Sequence, residues 1–394
     1  MFIVLFWLSI ALIVYTYLGY PLLLRLLAAL IRRRPAEPSD DLTVTLLICA
    51  HNEASSLEAK LLATLALNYP HEKIQILVAS DGSTDGTDAI VRRFADRGVE
   101  LISVAQQNGK THAQNVAVKH ARGEVVIFSD ATTRYHPEAL RFLIGNFRDP
   151  RVGATSGCYE YLDPTRRSPN SAGAHAYASY DNRIRDLQSR VWTITGCCGC
   201  IYAVRRALYV PLADDVISDL VQPLQVLKQG YRVTYEPRAL AWESSTATVR
   251  REFSMRVRVV TRALTGLLSV EGLLFPWPSP WIALQIWSHK LLRWAVPLFL
   301  LGLLLSSATL VRSPIYGIAF LLQAAFYATA LLTCFVPLHR RWPPLGIPLF
   351  FCTVNAAALG GAIQLMRGHR YTFWHPDREE ILQPADLAGR VSPP

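Results

Sequence analysis

Between residues 43 and 129 short apolar runs alternate with segments of helical periodicity. The runs cover 43–50, 74–79, 99–104 and 124–129, and the helical patterns cover 55–67, 87–97 and 111–121. Continuous apolar runs of this length, rich in Val, Ile and Leu, suit strands buried on both faces. Helices between successive strands supply the crossovers of a parallel sheet, right-handed by the usual sterics. This alternation restricts the segment to an open α/β sheet, whose ligand edge lies at the C-terminal ends of the strands. No GxGxxG follows the first run and no Walker-type phosphate loop is present, so the dinucleotide and P-loop versions of such a sheet lack their signatures.

Two of the runs end in carboxylates. Val125-Val126-Ile127-Phe128 leads into Ser129-Asp130-Ala131-Thr132, and the run at 74–79 leads into Ser80-Asp81-Gly82-Ser83-Thr84-Asp85-Gly86. Two aspartates delivered to one binding edge suit a polar ligand held with a divalent cation. Taken singly, an Asp after a strand serves equally well as a turn or N-cap residue, and Asp85 reads as the cap of the helix that begins near Thr87.

The 394 residues allow two or three domains. Apolar residues make up 51% of the chain and the mean hydropathy is +0.21, but the excess is local. It falls in 1–24 and in much of 281–311, 314–338 and 345–366, each near the roughly 20 residues that span a bilayer. The first stretch lacks a basic leader and a small-residue cleavage site, which makes it an uncleaved anchor. Arg25 and Arg32-Arg33-Arg34 follow it, so the positive-inside rule places residue 32 onward in the cytoplasm. The net charge of +10 gathers beside the spans, at Arg32 to Arg34, Arg250 to Arg262, Arg340-Arg341, Arg367 and Arg370. That placement fits anionic lipid headgroups and argues against nucleic acid as a partner. One anchor and three spans would put the C-terminus outside, which Arg367 and Arg370 oppose. Either the last span is re-entrant or the tail departs from the rule. Seven cysteines show no paired ligand spacing; even Cys197-Cys198-Gly199-Cys200 reads as small buried thiols rather than a zinc site.

From 137 to 196 the pattern weakens. Strand signals recur at 153–157, 201–204 and 231–235, and helical ones at 172–191 and 220–229, the latter capped by Ser218 or Asp219. Residues 251–271 form an amphipathic helix. With Phe253 at zero and about 100° per residue, Val257, Val260, Leu264 and Leu267 fall within roughly 40°, and Arg251, Arg258 and Arg262 fall opposite, with Arg256 on a flank. The helix either lies in the membrane interface or turns its arginines to a diphosphate, which guanidinium binds in bidentate fashion.

In this order, His51-Asn52-Glu53, Asp81 to Asp85, Asn108-Gly109-Lys110 with Asn115, Asp130-Ala131-Thr132 and Ser218-Asp219 resemble the family 2 glycosyltransferases across residues 43–262. The flanking spans resemble the membrane-bound branch that includes cellulose, hyaluronan and poly-N-acetylglucosamine synthases. The resemblance implies the GT-A fold, a Rossmann-like, mostly parallel α/β sheet, here with one N-terminal and about three C-terminal transmembrane helices. It implies that Asn52, Glu53 and Asp81 contact the nucleoside of a nucleotide-sugar donor and that Lys110 lies near the nucleotide. It also implies that Asp130 holds the diphosphate through Mg²⁺ or Mn²⁺ and that Asp219 is the general base. The basic face adds Arg258 and Arg262 as further diphosphate ligands.

Two departures stand out. Thr132 replaces the second carboxylate of the D-x-D motif, and Met255-Arg256-Val257-Arg258-Val259 lacks the Gln and Trp of the Q-x-x-R-W motif, which weighs against long-chain polymerisation. Trp192 or Trp242 would have to supply a stacking platform, though a packing role suits each better. The expected organisation is an anchor at 1–31, a cytosolic catalytic domain at 32–250, an interface helix at 251–274, a membrane region at 275–366 and a tail at 367–394. The expected function is inverting transfer from a nucleotide-sugar, which the resemblance alone implies to be a UDP-sugar, to a lipid or glycan acceptor, by a multi-pass protein of the bacterial inner membrane in contact with membrane lipids. Transfer of one sugar to a polyprenyl phosphate is the nearest alternative; a non-catalytic nucleotide-sensing scaffold is the alternative from another class.

Overall fold

The computed structural model describes residues 1–31, 34–162, 171–244, 248–277, 279–336, 339 and 342–373. The expectations at Arg32, Arg33, Arg340, Arg341 and the tail from 374 lie outside these residues. The apolar N-terminus forms one helix, α1 (Phe2–Leu30). The alternating segment then forms β1 (Val44–Ala50), α2 (Ala54–Leu65), β2 (Ile74–Asp81), α3 (Thr87–Arg93), β3 (Val99–Val104), α4 (Lys110–Val118) and β4 (Val125–Asp130). These four strands pair in parallel in the order β3-β2-β1-β4. Ala50 is level with Ser80, and Cys49 with Asp130, so β1, β2 and β4 reach the C-terminal edge together. Leu46, Ile48 and Val78 face Leu57 and Leu61 of α2, while Leu47, Cys49, Leu77 and Phe128 face Ala113 and Ala117 of α4. Both faces are sealed, which is why the strands read as unbroken apolar runs.

The sheet continues through β5 (Arg134–Tyr135), α5 (Ala139–Gly145), β6 (Val152–Tyr161), α6 (Ser171–Val191), β7 (Ile201–Arg205), α7 (Ser218–Lys228) and β8 (Arg232–Glu243). Its full order is β3-β2-β1-β4-β7-β6-β8-β5. β7 runs antiparallel to β4 and β6, β8 parallel to β6, and β5 antiparallel to β8. β6 and β8 are longer than the runs at 153–157 and 231–235. Register shifts carry their pairing past Gly157 and Pro237, so that Cys158 meets Leu240.

The C-terminal part comprises α8 (Val249–Leu268), α9 (Pro280–Thr309), α10 (Pro314–Phe335) and α11 (Gly346–Met366). Thr248 caps α8, its hydroxyl accepting the Arg251 N–H at 3.3 Å. Four helices are long and apolar enough to cross a membrane: α1, α9, α10 and the segment Pro343–Met366 containing α11. The first three keep most of their surface outward, whereas 44% of the α11 window is buried. α11 starts beside the last turn of α10, where the Thr333 hydroxyl donates to the Leu345 carbonyl at 3.4 Å. It then packs Phe350 on Gly173 of α6, and Gly360 and Gly361 on Val257 and Val260 of α8. Past its end, Arg370 pairs with Asp215 at 2.7 Å and the Thr372 carbonyl abuts Gly109. The end of α11 therefore returns to the carboxyl edge of the sheet, with Arg370 at that edge. It also covers the apolar face of α8.

Candidate functional site

The edge is built first from loops that hold one another. Asn52 has φ 53°, a left-handed conformation that Asn tolerates. Its side-chain oxygen accepts the Thr84 N–H at 2.8 Å, and its own N–H donates to the Ser83 hydroxyl at 3.1 Å. Asp81 is fully buried; its two carboxylate oxygens accept the N–H groups of Asn108 at 2.9 Å and Gly109 at 2.7 Å. Glu53 is also buried, and it accepts the Ser56 hydroxyl at 2.6 Å. The resemblance placed all three residues on the nucleoside. In the structure their polar groups bind neighbouring loops, and Asp81 and Glu53 expose almost nothing to a ligand. Asn115 behaves likewise, accepting from the Tyr209 hydroxyl at 2.9 Å and the Leu212 N–H at 3.1 Å. Burial of this kind leaves no mark in a sequence motif.

The turn fixed by Asp81 launches α4, whose first residue is Lys110. The Lys110 ammonium pairs with the Asp130 carboxylate and donates to the Gly199 carbonyl at 3.2 Å. Burial alone would lower the Lys110 pKa, but Asp130 outweighs it and the group is held protonated. Asp219 sits in the first turn of α7, behind the thiol-rich turn, with its carbonyl accepting the Cys197 N–H at 2.8 Å. A cavity of about 310 Å³ brings Lys110, Asp130, Asp219, Arg256, Arg258 and Arg262 together. Asp81 stands one loop behind this wall rather than in it. Burial pushes the Asp219 carboxyl above its ordinary value and nearby Asp130 adds to this, against the pull of Lys110, Lys290 and Arg185.

Of the α8 arginines, Arg258 lines the cavity. Arg262 is buried, and its guanidinium donates to the Thr111 hydroxyl at 2.9 Å and to the carbonyls of Asp214, at 3.1 Å, and Val216. It braces the 214–216 loop against α4, and burial with Arg258 nearby lowers its pKa to about 10. Arg256, assigned only to a flank by the helical wheel, points into the site. It pairs with Glu252 and lies 4.6 Å from the Tyr177 ring and 5.1 Å from the Phe350 ring. The wheel could not place it because α6 and α11 supply those rings. Neither Trp192 nor Trp242 lines the cavity; Trp242 is core and Trp192 lies at the outer end of α6.

A second cavity, of about 370 Å³, adjoins the first, and Asp219, Arg185, Arg256, Tyr159 and Tyr177 are among the residues that line both. Its walls come from α1, α6, α8, α9 and α11. Asp181 anchors it, pairing with Arg185 at 2.7 Å, Arg293 at 2.8 Å and His289 at 3.0 Å. His289, Lys290 and Arg293 read in sequence as interfacial anchors. Their position inside an apolar span was the available signal that they face a site instead.

Residues 45–210 match the family model described as Glycosyl transferase family 2. The chain carries a family 2 glycosyltransferase domain. Among its relatives, the poly-beta-1,6-N-acetyl-D-glucosamine synthase of Staphylococcus aureus strain COL is 28% identical over 239 residues, 58% of this chain and 56% of that protein. The Staphylococcus epidermidis enzyme of the same name is 26% identical over 225 residues, 55% and 53% of the two chains. The chain thus spans about half the length of the curated relatives it matches. The structure of a mannosyltransferase from Pyrobaculum calidifontis, solved with GDP-Man and Mn²⁺, aligns over 92% of this chain and 99% of its own, with a TM-score of 0.70 and 24% identity. This likeness concerns the fold, and the glycosyltransferase domain has the GT-A architecture.

Among the described residues, no group of three or more His, Cys, Asp or Glu side chains could cage a metal ion. At the D-x-D position Asp130 is the only carboxylate, because Thr132 takes the second place. One carboxylate completed by substrate phosphates is an ordinary Mg²⁺ environment, so the residues fit an ion that arrives with a diphosphate, provided Asp130 turns from Lys110 toward it.

Proposed function

We propose that this chain is an inverting glycosyltransferase that moves a sugar from a nucleotide-sugar, a UDP-sugar in the first instance, to a membrane-associated glycan or lipid in polysaccharide or glycolipid biosynthesis. The observation that carries this reading is the shared cavity. Lys110 and Asp130 line it together with the half-buried Asp219, whose pKa is raised. Lys110 and Arg258 offer cations to the diphosphate, which they would stabilise as it leaves. Asp130 would hold a divalent cation, Mg²⁺ or Mn²⁺, whose chemistry is to neutralise the leaving diphosphate. Asp219 would take the proton of the acceptor hydroxyl as that oxygen attacks the anomeric carbon, and a raised pKa makes it a stronger base once ionised. Arg262 keeps the Asp214–Val216 loop in place beside it.

The cations that flank the apolar spans favour a location in the bacterial inner membrane with the domain on the cytosolic side. A donor panel on the purified protein, read by released nucleoside diphosphate, tests the function. N-acetylglucosamine donors come first because of the staphylococcal relatives, and GDP-Man serves as the contrasting arm. Asp219→Asn should abolish transfer while retaining nucleotide binding. Turnover at the wild-type rate in that variant would remove the base assignment, and no turnover with any donor would remove the enzyme reading of this chain.

A further inference from the structure

The second cavity contains a charge that the transfer chemistry leaves unused. Its cations are Arg185, Arg256, Lys290 and Arg293. Asp181 serves Arg185 and Arg293, and Glu252 serves Arg256. Lys290 has no counterpart of this kind: among the described residues no carboxylate lies within ion-pairing distance of its ammonium, and no hydrogen-bond acceptor reaches it. Even with Asp219 ionised, four cations face three carboxylates. The Lys290 Nζ would stand 3.8 Å from a Cβ placed on Gly196, the residue before Cys197, whose N–H binds the Asp219 carbonyl. It thus projects from α9 toward the base. It does so from a π-helical turn, Trp287–Leu291, and such turns often mark functional positions. A cation held against apolar walls is costly unless an anion completes it.

The same walls are largely apolar and reach α1, α9 and α11, with Tyr17, Trp294 and Phe351 at that end. A ligand that matches both ends has an anionic head and a hydrocarbon body. We propose that this cavity receives the phosphate-bearing head of a membrane lipid, with Lys290 binding a phosphate oxygen and so placing the acceptor beside Asp219. This rests on the transferase reading and names the class of its acceptor. Two lipids share the chemistry: a polyisoprenoid monophosphate, and a polyisoprenoid diphosphate carrying a sugar. In the second, Asp219 has a hydroxyl proton to take; in the first, the attacking phosphate oxygen is already ionised and needs no base.

The test uses the full chain in neutral-lipid nanodiscs without donor. Binding of a polyisoprenoid monophosphate, of a diphosphate-linked sugar and of the matching uncharged polyisoprenoid alcohol is measured by quenching of intrinsic tryptophan fluorescence. Nucleoside diphosphate binding is measured separately. Wild-type protein should bind at least one phosphate lipid roughly tenfold or more tighter than the alcohol. Lys290→Met should erase that preference while leaving nucleotide affinity in place, and Lys290→Arg should restore most of it. Equal binding of alcohol and phosphate lipids by wild type, or a preference that survives in Lys290→Met, would overturn the proposal. Donor turnover in the same preparation keeps that failure separate from failure of the transferase reading. The source is identified by which of the two phosphate lipids wild-type protein binds more tightly and glycosylates when donor is added.

Discussion

Gly199 offers a way to move Asp219, the proposed base, without removing it. A Cβ added there would lie 2.9 Å from Asp219 Oδ2 and 3.3 Å from its Cγ. Gly199 is absent from the residues of positive φ, so alanine suits the backbone and the clash falls on the carboxylate. Ordinary contact begins at 3.4 Å, so relief requires a displacement of about half an ångström. A misplacement of about 1 Å near a reacting centre can cost 10²-fold. Half of that distance predicts a kcat loss of about tenfold, or ~1.4 kcal/mol of transition-state stabilisation. The assay is steady-state transfer with saturating donor, together with direct measurement of nucleotide affinity and a thermal melt. Gly199→Ala should lower kcat by that factor and leave nucleotide affinity within about twofold, with overpacking costing roughly 1–3 kcal/mol of stability. Because the effect runs through Asp219, it should nearly vanish in an Asp219→Asn background. Wild-type kcat in Gly199→Ala, or an equal further loss in the double variant, would refute the placement of the base.

Four other outcomes follow from the geometry. The kcat of wild type should fall on the acid side through a pKa above the ordinary carboxylate range, since burial raises the Asp219 value and only the ionised form takes a proton; a limb near the unperturbed Asp value would contradict this. EDTA should abolish turnover and Mn²⁺ or Mg²⁺ restore it; a rate indifferent to chelation would remove Asp130 as a metal ligand. Arg262→Ala should raise the donor KM more than it lowers kcat and should destabilise the fold by about 1–3 kcal/mol, because a hydroxyl and two carbonyls lose their hydrogen-bond donor; an unchanged melting temperature would show that the brace is dispensable. Lys60 is buried behind β4, donating to the Ser129 hydroxyl and the Thr133 carbonyl, each at 2.8 Å, and burial with Arg134 nearby lowers its pKa to about 7. The unfolded chain therefore binds more protons between pH 7 and 10.5, so this group's contribution rises with pH across that window. Melting of wild type relative to Lys60→Met from pH 6.5 to 9 should show that rise, and parallel curves would exclude it.

Local pattern carried much of the fold. β1 to β4 follow from apolar runs sealed on both faces, and Asp130 follows from an abrupt end to such a run. Asp219 was legible through its place before a helix and through the family resemblance. What escaped depended on contacts distant in sequence. Nothing near Asp81 says that Asn108 and Gly109 will occupy both carboxylate oxygens. Nothing near Arg256 announces the rings of Tyr177 and Phe350. Lys290 reads as an anchor because it is a basic residue near the start of an apolar span, whereas the cavity it lines is built from helices distant in sequence. The length of α11 was visible as an apolar run, but its seat on α8 needed glycines at 360 and 361 to meet valines a hundred residues away.

The return of the chain to Gly109 bears on how the protein is completed during synthesis. The sheet and its loops can assemble as soon as β8 leaves the ribosome, yet Phe350 and Phe351 reach the second cavity, and Thr372 reaches Gly109, only after every preceding span has been translated. A nascent chain halted before α11 would hold Asp130 and Asp219 in place beside an open-sided chamber. Full enclosure of that chamber therefore coincides with insertion of the finished protein.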